Sequence, residues 1–235
     1  VLAYDADGAL YRADRIGGTG EDNVFDADTD AEGNLILSGW FGDQVDFGGE
    51  TLTATGQDGV VWKVSPTGEL LWITHFAGPG DEGGNEVSVA PDGRVVVGVD
   101  ASEGVTVHGE TWQTTAQQAH VFVLDGDDGT VEWAGGAYTT RSRAKSIAVG
   151  ADGSIWFGGD FRGHGVVGDG ADAVPLEAVG GPDAFLSRWS RDGELLWATS
   201  WGGEGDDLCK GVAALADGSV YAAGFFEGTV DWQGH

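Results

Sequence analysis

A short turn leading into an aliphatic run occurs four times: Asp7-Gly8-Ala9-Leu10-Tyr11, Thr67-Gly68-Glu69-Leu70-Leu71-Trp72, Asp128-Gly129-Thr130-Val131-Glu132-Trp133 and Asp192-Gly193-Glu194-Leu195-Leu196-Trp197. The turn glycines lie 60, 61 and 64 residues apart, which makes the chain a tandem array whose fold is decided one repeat at a time. Such a frame constrains architecture strongly and function weakly, because unrelated sites are grafted onto the same scaffold.

Within one period the pattern predicts four short strands. Glu86-Val87-Ser88-Val89-Ala90 alternates, Pro91-Asp92-Gly93-Arg94 turns, and Val95-Val96-Val97-Gly98-Val99 returns as a hairpin. A longer Gly- and Thr-containing connection, Ala101 to Ala119, leads to the strand His120 to Leu124, and the turn around Gly129 delivers Thr130 to Trp133. Matching hairpins are predicted at Val24 to Leu37, Ile147 to Phe157 and Val212 to Ala222, with third strands at Val60 to Val64 and Phe185 to Trp189. The 43 glycines carry no Gly-X-Y period and act as turn punctuation. No window shows an i, i+3, i+4, i+7 apolar pattern, so helices should be scarce.

Four-stranded units in tandem, with Asp-Gly hairpins and a Trp near the end of the fourth strand, read as blades of a β-propeller. The fourth repeat supplies inner strands at Gly211 to Ala216 and Val220 to Phe226, and the sequence then stops at His235 inside its long connection. At the other end, Val1 to Asp5 matches the third-strand pattern of Val121 to Asp125, and Ala9 to Ile16 matches the fourth. Residues 1–16 are therefore expected to complete the last blade. The expectation is one all-β domain over residues 1–235, a four-bladed ring with repeats beginning near residues 5, 65, 126 and 190 and no unpaired edge. The alternative is a segment of a larger propeller, whose half-blades would pair with other chain.

Acidic residues outnumber basic ones 39 to 11, for a net charge of -28, and such a surface repels a phosphate backbone. Nucleic acid and anionic membrane are excluded as expected partners, whereas cations, cationic surfaces and neutral glycans are not. An Asp-rich, Lys-poor surface is also what a highly saline habitat would favour. No stretch approaches 18 apolar residues, so no membrane insertion is expected. The single Cys209 has no internal partner. A start at Val1, with neither Met nor a leader-like segment, gives the expectation of a mature or excised piece.

The strings Gly211-Val212-Ala213-Ala214-Leu215-Ala216-Asp217-Gly218-Ser219-Val220-Tyr221-Ala222-Ala223-Gly224, Asp183-Ala184-Phe185-Leu186-Ser187-Arg188-Trp189 and Gly193-Glu194-Leu195-Leu196-Trp197 resemble the bacterial β-propeller repeats of secreted and surface proteins, and more distantly NHL repeats. The likeness covers nearly the whole chain. It implies the fold and a secreted or cell-surface setting, with a protein or glycan as partner. It carries no general catalytic motif.

Gly17-Gly18-Thr19-Gly20-Glu21-Asp22-Asn23 fits the G-G-x-G-x-D string of calcium-binding β-rolls, and Gly202-Gly203-Glu204-Gly205-Asp206-Asp207 fits its core. The copies are 185 residues apart and cannot stack as β-roll turns do. They instead join one blade to the next, as do Asp81 and Glu82 in the second repeat and the basic Arg141-Ser142-Arg143-Ala144-Lys145 in the third. Loops converging near a central channel would place Glu21, Asp22, Asn23, Asp81, Glu82, Glu204, Asp206 and Asp207 around one opening. There Asp22, Asp81 and Asp207 could ligate Ca²⁺, which takes several oxygens from several loops; solvated acidic turns are the simpler reading, and no cofactor is required. Asp28-Thr29-Asp30-Ala31-Glu32-Gly33 resembles half an EF-hand loop, but position twelve is Gly39, so a hairpin turn is the better reading.

Trp72, Trp133 and Trp197 recur in register and are expected to pack between blades. Trp112 and Trp232 lie in long connections out of register, where an exposed ring could stack on a sugar. The five histidines have no metal-ligand spacing, and no nucleophile elbow, Walker loop or CxxC is present. The reading is a non-enzymatic binding or structural module, with a calcium- or carbohydrate-binding lectin and a glycan-active enzyme using paired carboxylates as rivals.

Overall fold

The computed structural model describes residues 1–114 and 116–230, and over them the chain is all-β. In chain order the strands are β1 (Leu2–Tyr4), β2 (Leu10–Ala13), β3 (Gly17–Gly18), β4 (Asp22–Thr29), β5 (Leu35–Asp46), β6 (Thr51–Val64), β7 (Leu70–Phe76), β8 (Glu82–Val89), β9 (Val95–Ala101) and β10 (Val105–Val107). They continue as β11 (Glu110–Trp112), β12 (Gln118–Leu124), β13 (Val131–Val149), β14 (Ile155–Val167), β15 (Val174–Glu177), β16 (Asp183–Trp189), β17 (Leu195–Trp201), β18 (Leu208–Ala214) and β19 (Val220–Phe225). Among the described residues the helical content is one 3-10 turn, Gly170–Asp172.

The repeat is visible as antiparallel pairing. Strands β4, β5, β6 and β7 form the first four-stranded meander; β8, β9, β12 and the first half of β13 form the second; the second half of β13, β14, β16 and β17 form the third. The turn glycines that open each repeat, Gly8, Gly68, Gly129 and Gly193, all have φ between 75° and 91°, a region that a side chain disfavours. Each first strand carries a bulge at the same place, between Val24 and Asp26, Gly84 and Glu86, Ala144 and Ser146, and Cys209 and Gly211. A bulge re-aims the next side chain. Here Asp26 Oδ2 accepts the Val87 backbone N–H (3.0 Å) and Ser146 Oγ accepts that of Val212 (2.9 Å), so one first strand caps the edge of the next.

The cores lie between the sheets. Ile36, Val61, Trp72 and Phe76 of the first unit pack with Val87, Val97, Phe122 and Leu124 of the second. Val96, Val121 and Val123, on the other face of the second unit, pack with Phe157, Phe185 and Trp189 of the third. The far face of the first unit, with Phe41, Phe47 and Trp62, is covered by Val1 and Ile16. Of the recurring tryptophans, Trp72 and Trp133 sit at these seams, whereas Trp197 is 37% exposed and meets a ring of its own unit. Trp72 Nε1 donates to the Gly126 carbonyl (3.0 Å), and Trp133 Nε1 donates to Arg191 (3.1 Å) while its ring stacks on Trp189. Trp197 packs edge-on against Trp156.

Two features depart from the sequence reading. Fourth and first strands were expected to be separate, yet β13 runs unbroken from the second unit into the third. Glycines interrupt the other junctions, at 17, 18 and 20, 78 and 80, and 202, 203 and 205; here Tyr138-Thr139-Thr140-Arg141 are strand formers and carry the ladder across. The strands expected to share one blade, β1–β2 and β18–β19, are instead two separate two-stranded sheets.

The EF-hand-like string is a hairpin turn. Asp30 Oδ1 accepts the N–H groups of Glu32 and Asn34, and its Oδ2 pairs with Lys63 Nζ at 2.8 Å, both side chains being buried. Burial alone would raise the Asp30 pKa, but the Lys63 ammonium and the Asn34 amide hold it below the usual carboxylate value. Lys63→Met should therefore cost about 3 kcal/mol in urea unfolding at pH 7, because it strands a buried carboxylate. The loss should shrink as pH falls through the Asp30 pKa, since a depressed acid stabilises only above it; an equal loss at pH 3 and pH 7 would rule the pair out as its cause.

Candidate functional site

The loops that join successive units carry the acidic residues singled out in the sequence. Their G-x-G-x-acid spacing has a local structural cause. Asp22 Oδ2 accepts the backbone N–H of Gly18, and Asp207 Oδ2 accepts that of Gly203, both at 2.8 Å and four residues back. The loop so closed lies flat on the preceding or following chain: a Cβ on Gly18 would fall 1.4 Å from the Gln44 carbonyl, and one on Gly203 would fall 2.2 Å from that of Thr229. The string is thus a carboxylate-stapled crossing, with glycine where backbone meets backbone.

Alignment on the bulges makes Asp22, Glu82, Ser142 and Asp207 equivalent. Their environments differ. Asp22 is exposed together with Glu21 and Asn23, and Asp81 and Glu204 are exposed as well. Asp206 is half-buried, its carboxylate 3.9 Å from Arg162. Asp207 is fully buried, its Oδ1 accepting the Glu227 N–H and its own N–H donating to Pro182. Glu82 is 1% exposed.

Glu82 meets a second acid across the unit boundary, a contact that sequence inspection missed. Asp58, buried on β6, pairs with His75 Nε2 at 2.6 Å and faces Glu82. Neither Glu82 oxygen has a hydrogen-bond partner among the described residues, although the Ser102 amide lies close enough to favour the charged form. Burial, then Asp58, Asp81 and Glu103, push the Glu82 pKa from 4.5 to about 8. At the last junction, Asp183 is raised to about 6 by burial and by Asp207. In the middle junction the same places hold Gln118 and Ser142, and Ser142 Oγ accepts the Ala119 N–H.

The basic string of this middle junction is largely neutralised. Arg143 binds Asp160 through Nε (3.1 Å) and Nη2 (2.9 Å), and Arg141 Nε donates to Gln117. Lys145 is lowered by burial while Asp100 and Asp160 oppose that shift. Asp100 accepts the Ala144 N–H and is raised to about 6, chiefly by burial. Glu86 is raised to about 7 by burial and by Asp26.

Among the described residues no group of three or more His, Cys, Asp and Glu side chains is placed to hold one metal ion, so Asp22, Asp81 and Asp207 do not form a common cage. Trp112 is half-buried and packs edge-on against Phe122 at 5.0 Å. Trp232 lies outside the described residues. At the turn end of the second and third units, a charged groove of about 420 Å³ is lined by Asp92, Arg94, Asp125, Asp127, Glu132 and Arg191. Arg94 is held there by Asp92 and by the Arg191 carbonyl. Its signal in the sequence was faint: Arg94 stands where the other hairpin turns have Asn34, Ser154 and Ser219.

A carboxyl raised by folding stabilises the folded state fully below its unfolded pKa and loses that contribution as pH rises through the folded one. For Glu82 the window runs from 4.5 to about 8. The urea midpoint should fall between pH 5 and pH 9, and Glu82→Gln should flatten much of the fall; an unchanged slope would remove Glu82 as the cause. No protein-family model matches the chain, and no curated protein is similar to it.

Proposed function

We propose that the four-stranded units are blades of a propeller-type array that serves as a non-catalytic binding or structural module in a secreted or cell-surface setting. The observation that carries this reading is how the reactive-looking groups are used. Asp22 and Asp207 staple loops, Arg143 neutralises Asp160, and the paired acids Asp58 and Glu82 are closed off inside a junction. Glycosidic cleavage needs two carboxyls flanking a bound sugar. A pair inaccessible to solvent cannot reach one.

The groups left for a partner are Glu21, Asn23, Asp81 and Glu204, all exposed on the inter-unit loops. Their acidity favours a basic protein surface or a neutral glycan over a phosphate backbone. Among the described residues no helix is long and apolar enough to cross a membrane. The lectin reading has weaker support, since Trp112 packs on Phe122.

A polysaccharide panel with product analysis, run beside calorimetry with Ca²⁺, separates the classes. The expected outcome is no turnover and no Ca²⁺-dependent shift in melting temperature. A basic protein ligand should bind with an affinity that weakens as salt rises and as Glu21, Asp81 and Glu204 are changed to Gln. Turnover abolished by Asp58→Asn would overturn the non-catalytic reading.

A further inference from the structure

The three junctions place a pair of polar side chains at the same spot, and they differ in how many of those polar atoms are satisfied. In the middle junction Gln118 Nε2 donates to the Thr139 carbonyl, while Ser142 Oγ accepts the Ala119 N–H and donates to the Ala137 carbonyl. In the last, both Asp207 oxygens accept backbone N–H groups, from Gly203 and Glu227, and Asp183 Oδ2 accepts that of Val179, so Asp183 Oδ1 alone is left over. In the first, three oxygens are left over: Asp58 Oδ1 and both of Glu82, on side chains that are 2% and 1% exposed. The middle junction shows that the fold accepts neutral, fully bonded groups at this spot. Acids are therefore not what the packing itself demands.

Negative charge gathers around the three oxygens. A parallel bridge between Gln57 and Asp81 sets Asp58 beside Glu82. Asp58, Asp81 and Glu103 are the charges that act most strongly on Glu82, and all three are acids. Glu103 is held at φ 64°, a left-handed conformation that a side chain disfavours. His75 takes Asp58 Oδ2 at 2.6 Å and leaves Oδ1 unpaired. Gly78 lies so close that a Cβ there would fall 2.4 Å from the Glu82 carboxyl carbon, so backbone walls the spot on that side. One proton on Glu82 removes one charge but cannot serve three buried acceptors, whereas a cation touching all three can.

We propose that the seam between the first and second units binds one Na⁺ ion, with the carboxylates of Glu82 and Asp58 as its ligands and the exposed Asp81 at its mouth. Hard oxygen donors suit an alkali ion. A single charge also suits the donor count: among the described residues no third His, Cys, Asp or Glu is placed to share a metal with this pair, and Ca²⁺ takes six to eight oxygens. A net charge of -28 draws cations toward the chain, and Asp81 marks the way in. The ion would tie β6 of one unit to β8 of the next, and by binding the folded chain it would stabilise that seam by mass action. The inference rests on buried oxygens and not on the exposed loops, so it and the ligand reading above can fail separately.

Thermal melts at pH 9, above the Glu82 pKa of about 8, in NaCl and in choline chloride at matched ionic strength test it. Choline screens exposed charge equally but is too large to enter the seam. The unaltered chain should melt about 3 °C higher in NaCl at about tenfold over half-saturation. That difference should vanish in Glu82→Gln and in Asp58→Asn and persist in Asp183→Asn, which alters the equivalent acid of the last junction. Sodium NMR line broadening should be strong with the unaltered chain and fall several-fold with Glu82→Gln, a readout that does not depend on stability. Equal melting in the two salts together with equal broadening by Glu82→Gln would overturn the proposal. So would an equal loss in Asp183→Asn, because the gain would then belong to the acidic chain as a whole.

Discussion

Every unit of this protein is a sheet with two apolar faces, and no sheet can cover both of its own. The whole structure depends on neighbours doing so. Ile36 and Phe76 are dry because Val87 and Phe122 lie against them, and Val121 is dry because Phe157 and Trp189 do. Burial of this kind contributes about 25 cal/mol per Å² of apolar surface, and it is realised only when two units stack. Stability is therefore a property of seams, as in other repeat arrays.

Stacking at that density forces an acidic chain to bring like charges together. At equivalent places the three junctions hold Asp58 with Glu82, Gln118 with Ser142, and Asp183 with Asp207. The middle one is neutral by composition. The first approaches neutrality by holding a proton, with Glu82 raised to about 8, whereas Asp183, raised to about 6, does so only in weakly acidic solution. A protonated carboxyl does in those seams what an amide and a hydroxyl do in the middle one. With 39 acids against 11 bases, burying a proton is an available alternative to burying a counter-charge.

The hairpins were legible in the sequence because their signals are local: Asp-Gly turns flanked by alternating Val and Ile fix strands such as β8 and β9 with no reference to the rest of the chain. The continuity of β13 was hidden by the repeat itself, which led one to expect a glycine break where Tyr138-Thr139-Thr140 has none. The role of Asp22 and Asp207 was legible only as far as the loop. That the carboxylate closes onto Gly18 or Gly203 follows from how closely the loop lies on another strand, which spacing alone does not encode. Burial of Glu82 was the least visible feature, since carboxylates sit at surfaces unless a partner unit covers them.

The polar contacts between units have a different task from the apolar ones. An indole donating to a backbone carbonyl contributes only about 1 kcal/mol net, but a carbonyl left unpaired inside a seam costs about 1–3 kcal/mol. Apolar faces slide against one another at little cost, whereas Trp72 on Gly126 and Trp133 on Arg191 are satisfied at one offset. The side-chain caps from Asp26 to Val87 and from Ser146 to Val212 impose the same offset at the other end of the sheet. Two pins at opposite ends fix translation and rotation together. Arg12 reaches the Ser65 and Pro66 carbonyls from the tryptophan position, so the β1–β2 hairpin is held in the same register with a guanidinium in place of the indole.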